Sequence, residues 1–290
     1  MSIIQAIRKG FQQTWQYKRI VLLLYFLTLL LSGFVAFPFK KLLENTVGHS
    51  LMVKDLIKGF DYEFINDFNN AYGAALSPIL NQSIAVLVMF MLLMIFFSGG
   101  IIAVFIHCPK KTEKNIFWGQ AAHYFWRIFR LTIYFLFIHL IILAIFCFIF
   151  YTSVDGFSLF ELKNDGNIIF ALKVIAPIYI FVGTLFFMLQ DYCKIFLVKS
   201  DKPWIYQSVF PSFKFIIKNF TKVIGLYFLN LILWSTVLYI NYLISSFITF
   251  NSLSGIILSF LFSQLFVITR FFLKLINLSS INEMHNQTSK

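Results

Sequence analysis

The residues of this sequence that could do chemistry are few and far apart. His107, Cys108 and His123 are the best candidates for metal ligands. Structural zinc sites use two closely spaced pairs of ligands, and this spacing provides only one such pair. We therefore expect no metal and no cofactor. No nucleophile can be placed beside a base and an orienting acid, so the sequence carries no catalytic signature and predicts a protein that is not an enzyme.

Three polar residues occupy matching positions in similar apolar stretches. They are Thr28, His139 and Asn230, each preceded four residues earlier by Leu24, Phe135 or Leu226. If the three stretches face one another, the polar side chains converge. They would then form either a small polar site or a hydrogen-bonded lock between helices, and the lock is the more common use of such residues.

Two opposite charges form the second candidate site. Asp191 ends one apolar stretch, while Arg270 and Lys274 lie near the end of another. A contact between Asp191 and Arg270 would be either a gate or a link that holds two helices together. Ser98-Gly99-Gly100 allows a close helix approach or a kink, and it lacks the strand and the Lys-Ser/Thr of a phosphate-binding loop.

Most of these residues lie in or next to six long apolar stretches. They run approximately over Ile20–Phe39, Ile84–His107, Leu131–Thr152, Ile168–Gln190, Val223–Ile244 and Leu253–Ile276. Each is long enough to cross a hydrocarbon core of ~30 Å as a helix. The composition agrees, because 59% of the residues are hydrophobic and only 12% are charged. The sequence therefore predicts an all-α polytopic membrane protein with six transmembrane helices in one domain over residues 1–290.

The basic residues fall mainly on one side of this arrangement. If the N-terminus is cytoplasmic, 18 of the 24 Lys and Arg residues lie in cytoplasmic segments and five in outer segments, with Lys173 inside a span. Because basic residues accumulate on the cytoplasmic side of membrane proteins, both termini are predicted to be cytoplasmic. The net charge of +12 then indicates contact with anionic lipid head groups rather than with nucleic acid.

The order of elements suggests three copies of one unit, over approximately residues 1–108, 109–199 and 200–290. Each copy has an amphipathic cytoplasmic segment, a span leading out and a span leading back. Ile4, Ile7, Phe11 and Trp15 recur at helical spacing in the first copy. Basic polar faces and aromatic apolar faces are typical of helices in the membrane interface, and the alternative is a cytoplasmic loop packed against the bundle.

The amphipathic segments of the later copies carry their own start signals. In the second copy, Thr112 is predicted to cap a helix. One face of this helix carries Phe117, Ala121, Tyr124 and Ile128. In the third copy, Asp201 is predicted to be the cap, and Pro211 to kink or split the helix. The outer loop over residues 40–82 is expected to form one or two short helices, either as a cap over the bundle or as a surface filler.

Several motifs resemble a group of bacterial six-span inner-membrane proteins. The resemblance covers nearly the whole chain and rests on the stretches Asp191–Val198, Lys202–Ser208, Phe213–Phe220 and Gly59–Phe68. This group is related to the membrane domain that precedes some glycerophosphodiester phosphodiesterases. The resemblance implies a bacterial cytoplasmic membrane and no enzymatic activity, because no phosphodiesterase barrel fits in this chain.

The sequence thus predicts a non-enzymatic accessory or scaffold protein in lipid or envelope processes. The alternative is a small transporter for a hydrophobic or amphipathic substrate. A polar pathway through both leaflets would favour transport, and a closed apolar interior would favour the scaffold. The sequence does not identify a membrane-protein partner.

Overall fold

A computed structural model describes residues 3–48, 62–107, 114–154, 165–201, 204–247 and 253–288. The elements in these ranges are α-helices, and no strand occurs among them. Six of the helices are long and apolar enough to cross a membrane. The predicted all-α architecture with six such helices is therefore confirmed.

The helices follow one another with short connections. In chain order they are α1 Ile3–Gln16, α2 Lys18–Thr46, α3 Tyr62–His107, α4 Lys114–Ser153, α5 Asp165–Ser200, α6 Tyr206–Lys218, α7 Phe220–Phe247 and α8 Leu253–Thr288. The long helices α2, α3, α4, α5, α7 and α8 contain the six apolar stretches. The helices α1 and α6 correspond to the segments that the sequence predicts to be amphipathic in the first and third predicted copies.

One non-helical residue separates each short helix from the long helix that follows it. Tyr17 lies between α1 and α2 with φ −101° and ψ 26°, and Asn219 lies between α6 and α7 with φ −119° and ψ 29°. Both residues therefore take the same sparsely populated bridge conformation. They are 202 residues apart, which is the register that aligns the first and third copies.

The predicted middle copy has no such break. Its amphipathic segment and its outgoing span form the single helix α4, so the expected separate helix is not present. The described part of the helix begins at Lys114, and its proposed cap Thr112 lies outside the described residues. No proline interrupts Lys114–Ser153, and the helical hydrogen bonds continue through the whole segment.

The outer loop is also more regular than expected. Helix α2 continues to Thr46, and α3 begins at Tyr62 and runs without interruption into the second span. The prediction of separate short helices is therefore wrong for residues 62–82. Pro78 lies inside α3, and the rest of the helix accommodates its missing N–H. Residues 49–61 lie outside the described residues.

The start of α6 differs from the sequence prediction. Ile205, not Asp201, occupies the N-cap position, and no side chain caps the helix. Asp201 instead follows the end of α5 in a left-handed conformation with φ 51°, where a short polar side chain is tolerated. Pro211 lies within α6 and does not split it. The prediction of Asp201 as a cap was therefore wrong.

The chain divides into two compact units. Unit 1 comprises Met1–Ile7, Ile95–Tyr227 and Leu278–Lys290, and unit 2 comprises Arg8–Met94 and Phe228–Asn277. Unit 1 contains a hydrophobic core made by α4, α5, α6, the start of α7 and the ends of α3 and α8. Its fully buried side chains include Ile128, Leu131, Tyr192, Val223 and Ile281.

A pair of glycines lets α3 approach α4 closely in unit 1. A Cβ atom on Gly100 would lie 2.7 Å from the carbonyl oxygen of Phe117, and one on Gly99 would lie 3.1 Å from Cβ of Tyr124. The predicted close helix approach at this motif is confirmed. Beyond it, the Asn282 amide donates a hydrogen bond of 3.1 Å to the carbonyl oxygen of Phe105, in the last turn of α3 where no helical N–H is available.

Candidate functional site

Helix α1 turns small side chains towards the protein and large ones away from it. Ala6, Gly10 and Thr14 are buried. In contrast, Phe11 and Trp15 are 48% and 58% exposed. A water-soluble helix would show the opposite distribution, because burying aromatic surface is favourable in water. Two large aromatic side chains of α1 are therefore exposed at the surface of the structure.

Helix α6 repeats this distribution. Ser208, Ser212 and Ile216 are buried, whereas Phe210 and Phe213 are exposed. Each buried residue of α6 follows a buried residue of α1 by 202 residues, and Phe213 follows Phe11 by the same interval. The two short helices therefore place corresponding positions on the inner and outer faces.

The first part of α4 shows the same pattern in the middle copy. Phe117, Ala121 and Tyr124 are buried, as their predicted shared face requires, while Trp118 and Trp126 are exposed. Trp126 occupies the position of Trp15 when the first and second copies are aligned on their matching apolar stretches. We use the name aromatic collar for a set of six exposed Phe and Trp side chains in these segments, two in unit 2 and four in unit 1; its members are Phe11, Trp15, Trp118, Trp126, Phe210 and Phe213.

A shallow groove marks the collar in unit 2. The rings of Phe11 and Trp15 stack with centroids 6.2 Å apart, and both meet the edge of Phe272 at 5.4 and 6.1 Å. The ammonium group of Lys18 lies 5.8 Å from the Trp15 ring centre. The groove is lined by Phe11, Gln12, Trp15 and Gln16. Aromatic rings next to a basic group are common in protein segments that lie in a membrane interface.

The predicted polar trio makes three separate sets of hydrogen bonds. Thr28 donates to the carbonyl oxygen of Leu24 at 2.8 Å, and His139 Nδ1 lies 2.7 Å from the carbonyl oxygen of Phe135. These are bonds within one helix. Asn230 is different, because its side chain is buried and contacts another helix.

Asn230 donates a hydrogen bond of 2.8 Å to the side-chain oxygen of Asn277 on α8. This is a lock of the kind predicted for the trio, between α7 and α8, through a partner that the sequence did not indicate. The neighbours Leu24, Phe135 and Leu226 are fully buried, so they point inward as expected. Convergence of all three polar residues stays a prediction.

The residues of the predicted charge pair have other contacts. Asp191 accepts a hydrogen bond of 3.0 Å from the Tyr227 hydroxyl and lies 3.4 Å from the Lys194 ammonium. Arg270 lies over the ring of Trp234, with its guanidinium carbon 6.0 Å from the ring centre. The pairing of Asp191 with Arg270 stays a prediction.

A cluster that the sequence did not reveal ties α4 to the end of α5. Arg127 donates to the Asp201 carboxylate at 2.6 Å and to its backbone oxygen at 3.1 Å, and His123 Nε2 lies 3.3 Å from the same carboxylate. Burial would raise the pKa of Asp201, but the bonds from Arg127 and His123 outweigh it and hold that pKa below its ordinary value. The strained backbone at Asp201 is thus fixed from α4.

A second unexpected cluster lies between α5 and α8 in unit 1. The Lys199 ammonium is 2.6 Å from His285 Nδ1 and 2.5 Å from the side-chain oxygen of Asn286. The imidazole of His285 is buried against the rings of Phe196 and Phe215, with centroids 4.5 and 5.0 Å away. This arrangement joins the ends of the two helices and leaves the imidazole enclosed.

The metal candidates are not brought together by the described residues. His107 is exposed at the end of α3, His123 contacts Asp201, and Cys108 lies outside the described ranges. Among the described residues, no three His, Cys, Asp or Glu side chains are grouped as metal ligands would be.

Comparison of the chain with known protein families, characterised proteins and solved structures gives no match. The resemblance to six-span inner-membrane proteins therefore rests on the quoted sequence stretches alone. The class of the molecule follows from its own fold, which has six helices long and apolar enough to cross a membrane.

Proposed function

We propose that this chain is a non-enzymatic integral protein of a bacterial cytoplasmic membrane, with both termini cytoplasmic. Its role is that of an accessory or scaffold component in lipid or envelope processes, held at the cytoplasmic face by anionic lipid head groups. The observation that carries the proposal is the aromatic collar, which places large apolar rings on the outer face of all three amphipathic segments.

The charge next to the collar supports a membrane surface as its partner. Arg8, Lys9, Lys18 and Arg19 are all exposed in and after α1. Each basic residue near an anionic leaflet contributes ~1 kcal/mol of attraction, and each buried aromatic ring adds apolar contact. The same helix therefore offers both contributions to interfacial binding.

The matching faces also support a triplicated design. The breaks at Tyr17 and Asn219 and the buried positions of α1 and α6 share one register, and α4 keeps the buried pattern without the break. Three such segments would give the chain three separate contacts with a membrane surface, which suits a scaffold.

Hydrogen exchange of the full chain in lipid nanodiscs tests the collar. Changing Phe11 and Trp15 together to Asp should increase amide exchange over α1 in discs that contain phosphatidylglycerol, because the helix loses its apolar anchor. Changing Gln12 and Gln16 to Asp is the matched control, since it adds the same charge at exposed positions and removes no ring. Equal exchange in wild type and the Phe11/Trp15 variant would reject the interfacial role.

The alternative is a small transporter for a hydrophobic or amphipathic substrate. One observation favours it: Arg270 is exposed within the predicted sixth span. Intramembrane cations often mark a substrate path. Transport of a fluorescent phospholipid analogue across vesicles that contain the purified chain would distinguish the two functions.

A further inference from the structure

Arg270 is exposed near the inner end of the predicted sixth span, where it has an aromatic partner. Its guanidinium lies over Trp234, and both residues belong to unit 2. Arg270 lies six residues before the predicted inner end of span six, which is about 9 Å, and Trp234 lies eleven residues after the start of span five, which is about 16 Å. In the predicted topology the guanidinium therefore lies in the inner part of span six, near its cytoplasmic end.

The direction of the two side chains agrees with this depth. Side chains of an α-helix lean towards its N-terminus. In the predicted topology α8 runs inward, so Arg270 leans towards the membrane centre, whereas α7 runs outward, so Trp234 leans towards the cytoplasm. The guanidinium and the indole ring therefore meet at a depth between those of the two Cα atoms. Stacking on Trp234 thus holds the cation at depth, where a snorkelling side chain would turn towards the surface.

Arg270 belongs to a polar stripe along one face of α8. Arg270, Lys274 and Asn277 follow at intervals of four and three residues, so they share a face. Arg270 and Lys274 are exposed, and Asn277 is bonded to Asn230. Among the described residues no carboxylate pairs with Arg270. The stripe therefore presents cationic groups within an apolar region and keeps its inner end fixed by the Asn230–Asn277 bond.

We propose that Arg270, with Lys274 one turn away, binds the anionic phosphate head group of an amphiphile whose chains remain in the bilayer. The planar guanidinium offers paired N–H donors that match phosphate oxygens, and no carboxylate among the described residues occupies these donors. A charge at this depth is costly when it is alone, so an anion bound there is strongly favoured. An apolar chain suits the surroundings, because α7 and α8 expose the large side chains of Leu231, Leu238, Leu261 and Leu265.

This site goes beyond the interfacial role of the collar and does not depend on it. The collar contacts lipids at the membrane surface through Phe11 and Trp15, whereas the Arg270 site takes a head group inside the span. A variant at Arg270 should leave hydrogen exchange over α1 unchanged, so the two proposals can fail separately.

Native mass spectrometry of the full chain, released from non-ionic detergent, tests the site. The probes are phosphatidylglycerol, phosphatidylcholine and water-soluble glycerol phosphate. We expect wild type to prefer phosphatidylglycerol, and Arg270→Gln to raise its Kd about tenfold, which is the loss of one charge-assisted contact. Lys173→Gln is the matched control, because Lys173 is also an exposed cation within a predicted span; its Kd should not change.

Three results would overturn the proposal. An unchanged Kd in Arg270→Gln would show that the guanidinium binds no head group. An equal loss in Lys173→Gln would show that only net charge matters. Glycerol phosphate binding as tightly as phosphatidylglycerol would indicate a site for soluble anions.

A second variant tests the site if Arg270→Gln does not fold. Arg270→Lys keeps the charge and loses the planar fork, so its Kd for phosphatidylglycerol should rise several-fold. An unchanged Kd in that variant would also reject the proposed geometry.

Discussion

The close contact at Gly100 predicts a large effect from the addition of one methyl group. In Gly100→Ala the new Cβ would lie 2.7 Å from the carbonyl oxygen of Phe117 and 3.0 Å from two of its ring carbons. The oxygen belongs to the backbone of α4, and the ring is buried and stacked on Phe97 at 6.0 Å. Neither group has room to retreat, so α3 and α4 must separate.

The expected magnitude follows from two opposing contributions. Overpacking of a filled interior costs ~1–3 kcal/mol, and this backbone contact belongs at the upper end. Replacement of a helical glycine by alanine returns ~1 kcal/mol through helix propensity. The net loss is therefore roughly 2 kcal/mol, which corresponds to a fall of about 4–8 °C in Tm for a protein of this size.

Thermal unfolding in detergent, followed by size-exclusion chromatography with fluorescence detection, measures this change. Gly119→Ala is the matched control, because a Cβ at Gly119 has no neighbour within 4 Å although it lies in α4 beside the contact. Its Tm should stay the same or rise slightly. If Gly100→Ala is as stable as Gly119→Ala, the two helices are not in contact at Gly100.

Three further predictions concern topology, the amide lock and acid stability. A reporter that is active only in the cytoplasm should work at Lys290 and fail after Asp155; activity at Asp155 would reject the six-span topology. Asn230→Leu should lower Tm by a few degrees, since an interhelical bond contributes ~0.5–2 kcal/mol, and adding Asn277→Leu should restore part of it. No change in the single variant would refute the lock. Because the pKa of Asp201 is lowered in the folded chain, its stabilising contribution is present above pH ~3.9 and is lost as the pH falls through the lower folded pKa. Asp201→Asn should therefore reduce the loss of Tm on acidification, and an unchanged acid profile would contradict this.

The sequence was sufficient for the long helices because their signal is strong and local. Runs such as Leu131–Thr152 contain too many apolar residues for any other structure, and the same pattern placed Phe135 and Leu226 in the interior. The face of Phe117, Ala121 and Tyr124 was also predictable, since helical spacing alone defines it.

The helix ends and the polar contacts were harder to predict, because they depend on partners distant in sequence. Asp201 looks like a cap for the helix that follows, but Arg127 holds it against α4. His285 and Lys199 are 86 residues apart, and no sequence pattern joins them. The break at Tyr17 is set by a single backbone conformation, which many side chains adopt.

The unbroken helix α4 has a mechanical consequence. At 1.5 Å per residue its 40 residues form a rod of about 60 Å, twice the thickness of the hydrocarbon core. Tyr17 and Asn219 interrupt the helices before α2 and α7, so the axes of α1 and α6 can differ from those of the long helices that follow them. In α4 there is no such break, so Lys114 and Ser153 belong to one continuous helix. If its first turns lie at the membrane surface, as proposed for the aromatic collar, a displacement of those turns would be felt along the whole helix.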